Sequence, residues 1–145
     1  MFGAFSVGVL NGWSESGERP EFDVVTGVST GALIATFAFL GREYDEDLKV
    51  LFTTTTDRDI YRRRGPLAPL RSDAVADHGP LKQLIESRLT PEVLQRVAAE
   101  HARGRRLYAG TTNLDTRQLV VWDLGAIASR GDADLYRDVI LASAS

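Results

Sequence analysis

The chain of 145 residues contains no cysteine and only two histidines. The absence of cysteine excludes a disulfide framework, a thiolate zinc site and a cysteine nucleophile. Positive charge is also scarce, because 17 lysines and arginines stand against 20 aspartates and glutamates, for a net charge of −3. Such a chain has no strong field to hold a phosphate backbone, so nucleic acid is not an expected partner.

The few basic residues are concentrated in the middle of the chain. Residues 57–106 carry eleven basic and seven acidic side chains. Two interpretations stay open for this segment. It is an ordinary solvated surface, or it is weakly attracted to anionic lipid headgroups, which would give peripheral contact with a membrane.

The chain also lacks an apolar run typical of a transmembrane helix. Residues 24–41 carry no charge over 18 positions, which is near the lower limit for a span. Several threonines, serines and glycines lower the hydropathy of this run, and Glu21 and Asp23 precede it, where a signal peptide would be basic. The run is therefore expected to be a buried strand, a tight turn and a buried helix.

Hydrophobic periodicity and turn residues predict alternating helices and strands in one domain. Helices are expected at residues 4–13, 30–40, 45–54 and 80–88, at residues 91–103 after the cap Thr90, and from Asp132 or Asp134 to Ala142. Strands are expected at residues 22–26, 106–112 and 118–123, the last two joined as a hairpin through residues 113–117. Loops are expected at residues 11–20 and, as a long irregular segment, at residues 61–79.

One element has a pattern typical of catalysis. Gly27-Val28-Ser29-Thr30-Gly31 is a G-x-S-x-G motif between a β-prone run and an apolar helix. In a nucleophile elbow, a sharp strand-to-helix turn exposes the serine hydroxyl, and the two glycines remove side chains that would collide. The start of the helix directs free N–H groups and a positive dipole end toward the serine oxygen.

The motif alone is short, and a simpler interpretation stays open. Serine is a common helix cap, so Ser29 could cap the helix in an ordinary strand–turn–helix connection. The order strand, motif, helix favours the nucleophile.

At this point the chain resembles the patatin-like phospholipase family, and the resemblance extends over essentially its whole length. Four segments carry it, and together they are far more specific than the serine motif. They are Gly3-Ala4-Phe5 with Gly8-Val9-Leu10, residues 22–33, Thr111-Thr112-Asn113-Leu114-Asp115-Thr116 with Val120-Val121-Trp122-Asp123, and Ala142-Ser143-Ala144-Ser145.

The resemblance implies an α/β fold, a three-layer sandwich with a central sheet and a nucleophile elbow, incomplete in this chain. Residues 1–145 would be part of a patatin-like (PNPLA) domain. The first strand and most of the glycine-rich loop would precede Met1, and the part containing the catalytic aspartate would follow Ser145. One edge of the elbow strand would then be unpaired, so we expect the isolated chain to be marginally stable or prone to aggregation.

The resemblance also implies site residues. Ser29 matches the nucleophile of a Ser–Asp dyad, and Gly3 matches the last glycine of the oxyanion loop. The family's aspartate lies in a D-G-G or D-G-A motif, which this sequence does not contain. Asp115, Asp123 and Asp138 lie in a turn, a strand end and a helix, and are not assigned its role.

The implied activity is that of a lipid acyl hydrolase, of phospholipase A or esterase type, which acts through an acyl-enzyme without a cofactor or a metal. The partner would be a lipid or another acyl ester, and the location cytoplasmic or at a membrane surface. Two alternatives stay open: a non-catalytic relative that binds lipid or a partner, and an acyltransferase.

An ordinary α/β-hydrolase triad is a rival interpretation, since it also uses G-x-S-x-G. It requires several strands before the elbow, but only 28 residues precede Ser29. It also requires a late histidine on a loop. His78, in the irregular segment, and His101, near a helix end, are both expected to be surface residues.

Overall fold

The computed structural model describes residues 2–54, 62, 63, 76, 77 and 79–144. The elements are α1 (Phe2–Glu15), β1 (Val24–Val28), α2 (Thr30–Leu40), a 3₁₀ turn (Arg42–Tyr44), α3 (Asp45–Thr54), β2 (Arg62–Arg63), β3 (Ala76–Asp77), α4 (Gly79–Arg88), α5 (Pro91–Ala102), β4 (Arg106–Asn113), β5 (Gln118–Asp123), α6 (Leu124–Ser129) and α7 (Ala133–Ala144). This mixture of helices and strands confirms the predicted α/β class.

The main sheet contains three strands in the order β1-β4-β5. β1 runs parallel to β4, with Val24 opposite Arg106 and Val28 opposite Gly110. β4 and β5 are antiparallel and form the predicted hairpin. Among the described residues β1 therefore pairs through one edge only, and the connection from β1 to β4 includes helices, as parallel pairing requires.

Short polar side chains fix the ends of several elements. In the hairpin turn, the side-chain oxygen of Asn113 accepts hydrogen bonds from the N–H groups of Asp115 and Thr116, both at 3.0 Å. At the start of α5, Thr90 accepts a hydrogen bond from the N–H of Val93 at 3.4 Å. Both are local bonds that the sequence predicts from residue type.

The core lies between α2, the neighbouring helices and one face of the sheet. Every residue from 32 to 40 is buried, as expected of a helix that is apolar on all sides. Leu107 and Ala109 of β4 are fully buried against these helices. Within this core, the hydroxyls of Thr36 and Tyr136 form a buried hydrogen bond and are 3.0 Å apart. Burial raises the pKa of Tyr136, although this hydrogen bond lowers it in part.

The opposite face of the sheet is open in the described part of the chain. Val24 and Val28 of β1 and Leu119 and Val121 of β5 are each at least 57% exposed. The predicted strand at residues 22–26 is thus present, two residues further along, but the prediction that it is buried is wrong for this face. The sandwich is incomplete, because the helices that contact the sheet pack against its other face.

Most of the predicted helices are present, with two corrections. α2 and α3 have the predicted bounds, and α4 and α5 each differ by one residue at one end. The predicted loop at residues 11–20 begins too early, because α1 continues to Glu15 and ends only where Gly17 adopts a positive φ of 77°. The last helix is capped by Asp132, which accepts from the N–H of Leu135, and it extends two residues further than predicted, to Ala144.

The short helix α6 was not predicted. Its six residues are too few to show a helical period. Asp123, predicted to end a strand, does so and also caps this helix by accepting a hydrogen bond from the N–H of Ala126 at 2.8 Å. Of the predicted irregular segment at residues 61–79, the short antiparallel strands β2 and β3 are described. The rest of that segment to residue 78, including His78, lies outside the described residues.

Candidate active site

The connection between β1 and α2 consists of one residue, Ser29. Its backbone has φ 60° and ψ −140°, a combination that non-glycine residues rarely adopt. Strain of this kind persists only where the surrounding structure enforces it, and it is concentrated at functional sites. Ser29 is also exposed, so the turn presents it to solvent at the end of the strand.

The strand and the helix approach each other closely at Gly27. A Cβ atom on Gly27 would lie 2.3 Å from the carbonyl oxygen of Gly31 and 2.7 Å from the Cα of Ala32. No side chain fits there, as the motif predicts. The expectation is wrong for Gly31, because a Cβ atom on that residue would meet nothing within 4 Å in the part of the chain that the structure describes.

The side chain of Ser29 does not cap α2. Ser29 occupies the cap position, yet its hydroxyl makes no capping hydrogen bond. Its carbonyl accepts from the N–H of Ala32 at 2.9 Å. Thr90 shows how a capping residue in this protein behaves. Its backbone is extended, and its side chain accepts a hydrogen bond from the N–H of Val93. The simpler interpretation of Ser29 as a helix cap is therefore wrong.

The N-terminus of α2 provides a favourable environment for negative charge. The first N–H groups of a helix have no partner within it, and the helix dipole places a partial positive charge there. The first turn of α2 contains no acidic side chain that would neutralise this charge. An oxygen at Ser29 that gains negative charge would be stabilised by this arrangement.

A second serine contacts the turn. The backbone N–H of Ser29 donates a hydrogen bond to the hydroxyl oxygen of Ser143 at 2.9 Å, and this hydroxyl donates to the carbonyl of Gly110 at 2.7 Å. Ser143 lies near the end of α7. Sequence reasoning singled out the segment Ala142-Ser143-Ala144-Ser145 but gave Ser143 no role, because only the fold brings it to Ser29.

Gly3 lies in the first turn of α1 and is buried. Helix α1 packs mainly against α3 and also against α2. The role of Gly3 in an oxyanion loop therefore stays a prediction.

The described histidine lies away from Ser29. Asp123 pairs with Tyr108 in the sheet, which places it two strands across and three residues along from Ser29, roughly 14 Å from Cα to Cα at standard spacings. His101 accompanies Asp123, with 3.7 Å between Nδ1 and the carboxylate. Its Nδ1 is buried and has no hydrogen-bond partner in the described part of the chain, so the prediction of a simple surface residue is wrong. This pair is too distant to form a triad with Ser29.

The uncharged run at residues 24–41 forms the strand, turn and helix predicted for it. Across the residues that the structure describes, no helix has the length and apolar character needed to cross a bilayer. In that same part of the chain, no group of three or more histidine, aspartate and glutamate side chains is arranged to hold a metal ion.

Comparison with known proteins assigns the chain to a family. The family model of the patatin-like phospholipases matches residues 1–145, which is the whole chain. No curated protein and no solved structure matches the chain. A strand–serine–helix turn with a strained, exposed serine accompanies this match. The chain belongs to the patatin-like phospholipase family.

Proposed function

We propose that this protein is a lipid acyl hydrolase in which Ser29 is the nucleophile. The observation that carries the proposal is the conformation of Ser29. The residue is strained and exposed at the N-terminus of α2, and its hydroxyl does not cap the helix. The chain belongs to a family of lipid acyl hydrolases. A serine whose hydroxyl makes no capping hydrogen bond and whose backbone is held in a costly conformation is typical of a nucleophile.

The reaction proceeds through an acyl-enzyme. A base removes the proton of the Ser29 hydroxyl while its oxygen attacks the carbonyl carbon of an acyl ester. The resulting oxyanion is stabilised by N–H groups, those of the α2 N-terminus and, by family resemblance, the one at Gly3. The base returns the proton to the departing alcohol, and water then attacks the acyl-enzyme to release the fatty acid and restore Ser29.

By family resemblance the base is an aspartate in a D-G-G or D-G-A motif, and the printed sequence contains no such motif. Two of the aspartates that sequence reasoning did not assign to this role have defined places in the structure. Asp123 caps α6, and Asp115 lies in the hairpin turn. The experiments use the full-length protein.

The first experiment is labelling with a fluorophosphonate probe, which reacts with activated serines. We expect the full-length protein to be labelled at Ser29 and the Ser29→Ala variant to be unlabelled. Ser16→Ala is the matched control, since Ser16 is also exposed and its hydroxyl donates to the carbonyl of Trp13. Equal labelling of wild type and Ser29→Ala would overturn the proposal.

The second experiment separates hydrolysis from the two alternatives. Phosphatidylcholine vesicles are incubated with wild type and Ser29→Ala, with and without an added alcohol acceptor. Free fatty acid that is formed by the wild type and not by Ser29→Ala supports hydrolysis. A new ester formed only with acceptor would show acyl transfer instead, and vesicle binding without either product would show a lipid-binding protein.

A further inference from the structure

Ser143 has an unusual position, because its hydroxyl connects the backbones of two strands. The oxygen accepts from the N–H of Ser29 at 2.9 Å, and the hydrogen is donated to the carbonyl of Gly110 at 2.7 Å. Ser29 and Ser143 are 114 positions apart in the chain. The contact therefore ties the end of α7 to the strained turn.

The register of the sheet shows what this hydroxyl replaces. Arg106 lies opposite Val24. The N–H of Arg106 donates to the carbonyl of Asp23, the residue before Val24, at 2.8 Å. In a parallel pair this pattern repeats every second residue. Because Val28 lies opposite Gly110, the repeated pattern places the carbonyl of Gly110 opposite the N–H of Ser29. The Ser143 hydroxyl thus occupies the next rung of the ladder, bonded to the two groups that would otherwise bond to each other.

The replacement coincides with the point at which the strand turns. A direct bond to Gly110 would favour continued strand geometry at Ser29, whereas the observed φ of 60° leaves that geometry. A strained residue reverts to a relaxed conformation unless its surroundings hold it. The hydroxyl of Ser143 supplies a hydrogen bond to the N–H of Ser29 in its turned conformation and anchors that bond to β4.

From this geometry we infer that Ser143 is a positioning residue for Ser29, an inference that rests on the proposed function. It holds the backbone of the nucleophile in the turned conformation. Its hydroxyl acts through the N–H of Ser29 and the carbonyl of Gly110. Its effect is therefore expected on the rate of attack by Ser29 and not on substrate binding.

The test compares Ser143→Ala and Ser143→Thr with wild type in the full-length protein. The readouts are the rate of fluorophosphonate labelling at Ser29, kcat and KM on a soluble acyl ester, and the thermal midpoint. We expect Ser143→Ala to lower the labelling rate and kcat roughly tenfold, as for a misplaced nucleophile, with KM within about twofold of wild type. Ser143→Thr keeps a hydroxyl and is expected to restore most of the rate.

Ser129→Ala is the matched control. The Ser129 hydroxyl also donates to a backbone carbonyl, that of Gly125, at 2.8 Å, but within its own helix. We expect it to leave the labelling rate unchanged. If Ser143→Ala labels as fast as wild type, or if Ser129→Ala slows labelling equally, the inference is overturned. Such a result leaves the proposed function intact as long as Ser29→Ala stays unlabelled, so the two failures are distinguishable.

Should Ser143→Ala fail to fold, Ser143→Cys provides the same test at nearly constant volume. A thiol is a weak donor and acceptor, so we expect slower labelling and faster hydrogen exchange at the Ser29 amide than in wild type. Wild-type labelling and exchange in a folded Ser143→Cys variant would overturn the inference.

Discussion

The two ends of the β1–β4 pair differ in how the backbone is supported. Near the start of β4, Arg105 is buried and makes several side-chain hydrogen bonds. It donates to the carbonyls of Phe22 and Phe39 at 2.8 and 2.6 Å and to the carboxylate of Glu100 at 2.9 Å. Near the end of β1, Ser29 is exposed and strained, and its backbone N–H donates to the hydroxyl of Ser143.

The difference separates an end that stabilises the fold from the end at which the proposed reaction would take place. Arg105 joins α2 and the chain before β1 through bonds to the carbonyls of Phe39 and Phe22, and it joins α5 through the carboxylate of Glu100. A second buried arginine, Arg19, reinforces that end by binding Asp45 and the carbonyl of Ala38. At the other end, Ser29 is exposed and its hydroxyl makes no capping hydrogen bond. Variants at the Arg105 end should therefore lower stability only, whereas variants at the Ser29 end should also lower labelling at Ser29.

The largest effect is expected at the strained end, from Gly27→Ala. The new Cβ atom would overlap the backbone of Gly31 and Ala32, so α2 must move away from β1. We expect a loss of about 3 kcal/mol or more in the free energy of unfolding, together with loss of labelling at Ser29. Urea unfolding measured by circular dichroism checks the first result.

Gly31→Ala is the control for that variant, because it changes the other glycine of the same motif. A Cβ atom there meets nothing within 4 Å, and alanine is favoured over glycine in a helix by about 0.5–1 kcal/mol. We expect stability equal to wild type or slightly higher. Equal destabilisation by the two variants would show that the close approach at Gly27 is not what shapes the turn.

The elements that the sequence predicted well are those with a local cause. Helix α2 is apolar throughout, and α5 carries a capping threonine followed by proline, so both positions follow from neighbouring residues. The turn at Ser29 could likewise be predicted, because its strand, motif and helix are contiguous. The six residues of α6 are too few to show a period, and α6 was therefore missed.

The features that could not be predicted depend on residues distant in the chain. The exposure of Val24 and Val28 depends on which face of the sheet the helices cover, and an uncharged run gives no sign of this. The contact of Ser143 with Ser29 depends on the packing of α7 against β4. The sequence marks Arg105 only as one of several basic residues, and its partners Phe22 and Phe39 contribute carbonyls that every residue possesses.

The second prediction tests the well-bonded end. Arg105→Met keeps an apolar stem but leaves the carbonyls of Phe22 and Phe39 without this donor and removes a hydrogen bond from Glu100. Breaking a buried pair by removing one partner costs about 3 kcal/mol, and we expect a loss of that order in urea unfolding. Labelling of the folded fraction at Ser29 should persist, since the site lies at the other end of the strands.

The control at this end is Arg103→Ala. Arg103 binds the same carboxylate of Glu100 at 3.0 Å, but its side chain is 62% exposed. Exposed pairs contribute about 1 kcal/mol or less, so we expect a small change. A loss as large as that of Arg105→Met would mean that the carboxylate matters more than the buried carbonyl bonds, and the contrast between the two ends would need revision.

The smallest expected effect is a pH dependence at Glu100. Burial acts to raise the pKa of this carboxyl, but hydrogen bonds from Arg105 and Arg103 and the charges of both outweigh it, so the pKa lies below the usual 4.5. A lowered pKa in the folded state means that the unfolded chain binds the proton more readily. The stabilisation is therefore fully present above pH 4.5 and is lost as the pH falls through the folded value.

Urea unfolding of wild type and Glu100→Gln between pH 7 and pH 3 measures this contribution. We expect the wild type to be the more stable at pH 7. The difference should shrink below pH 4.5, because the carboxylate of Glu100 becomes protonated there whereas glutamine does not titrate. Glu86→Gln is the control, since Glu86 is half exposed and lies 4.0 Å from Lys82. If the difference between wild type and Glu100→Gln stays constant down to pH 3, the arginines do not favour the charged form of Glu100. The stability of that end would then rest on the carbonyl bonds of Arg105 alone.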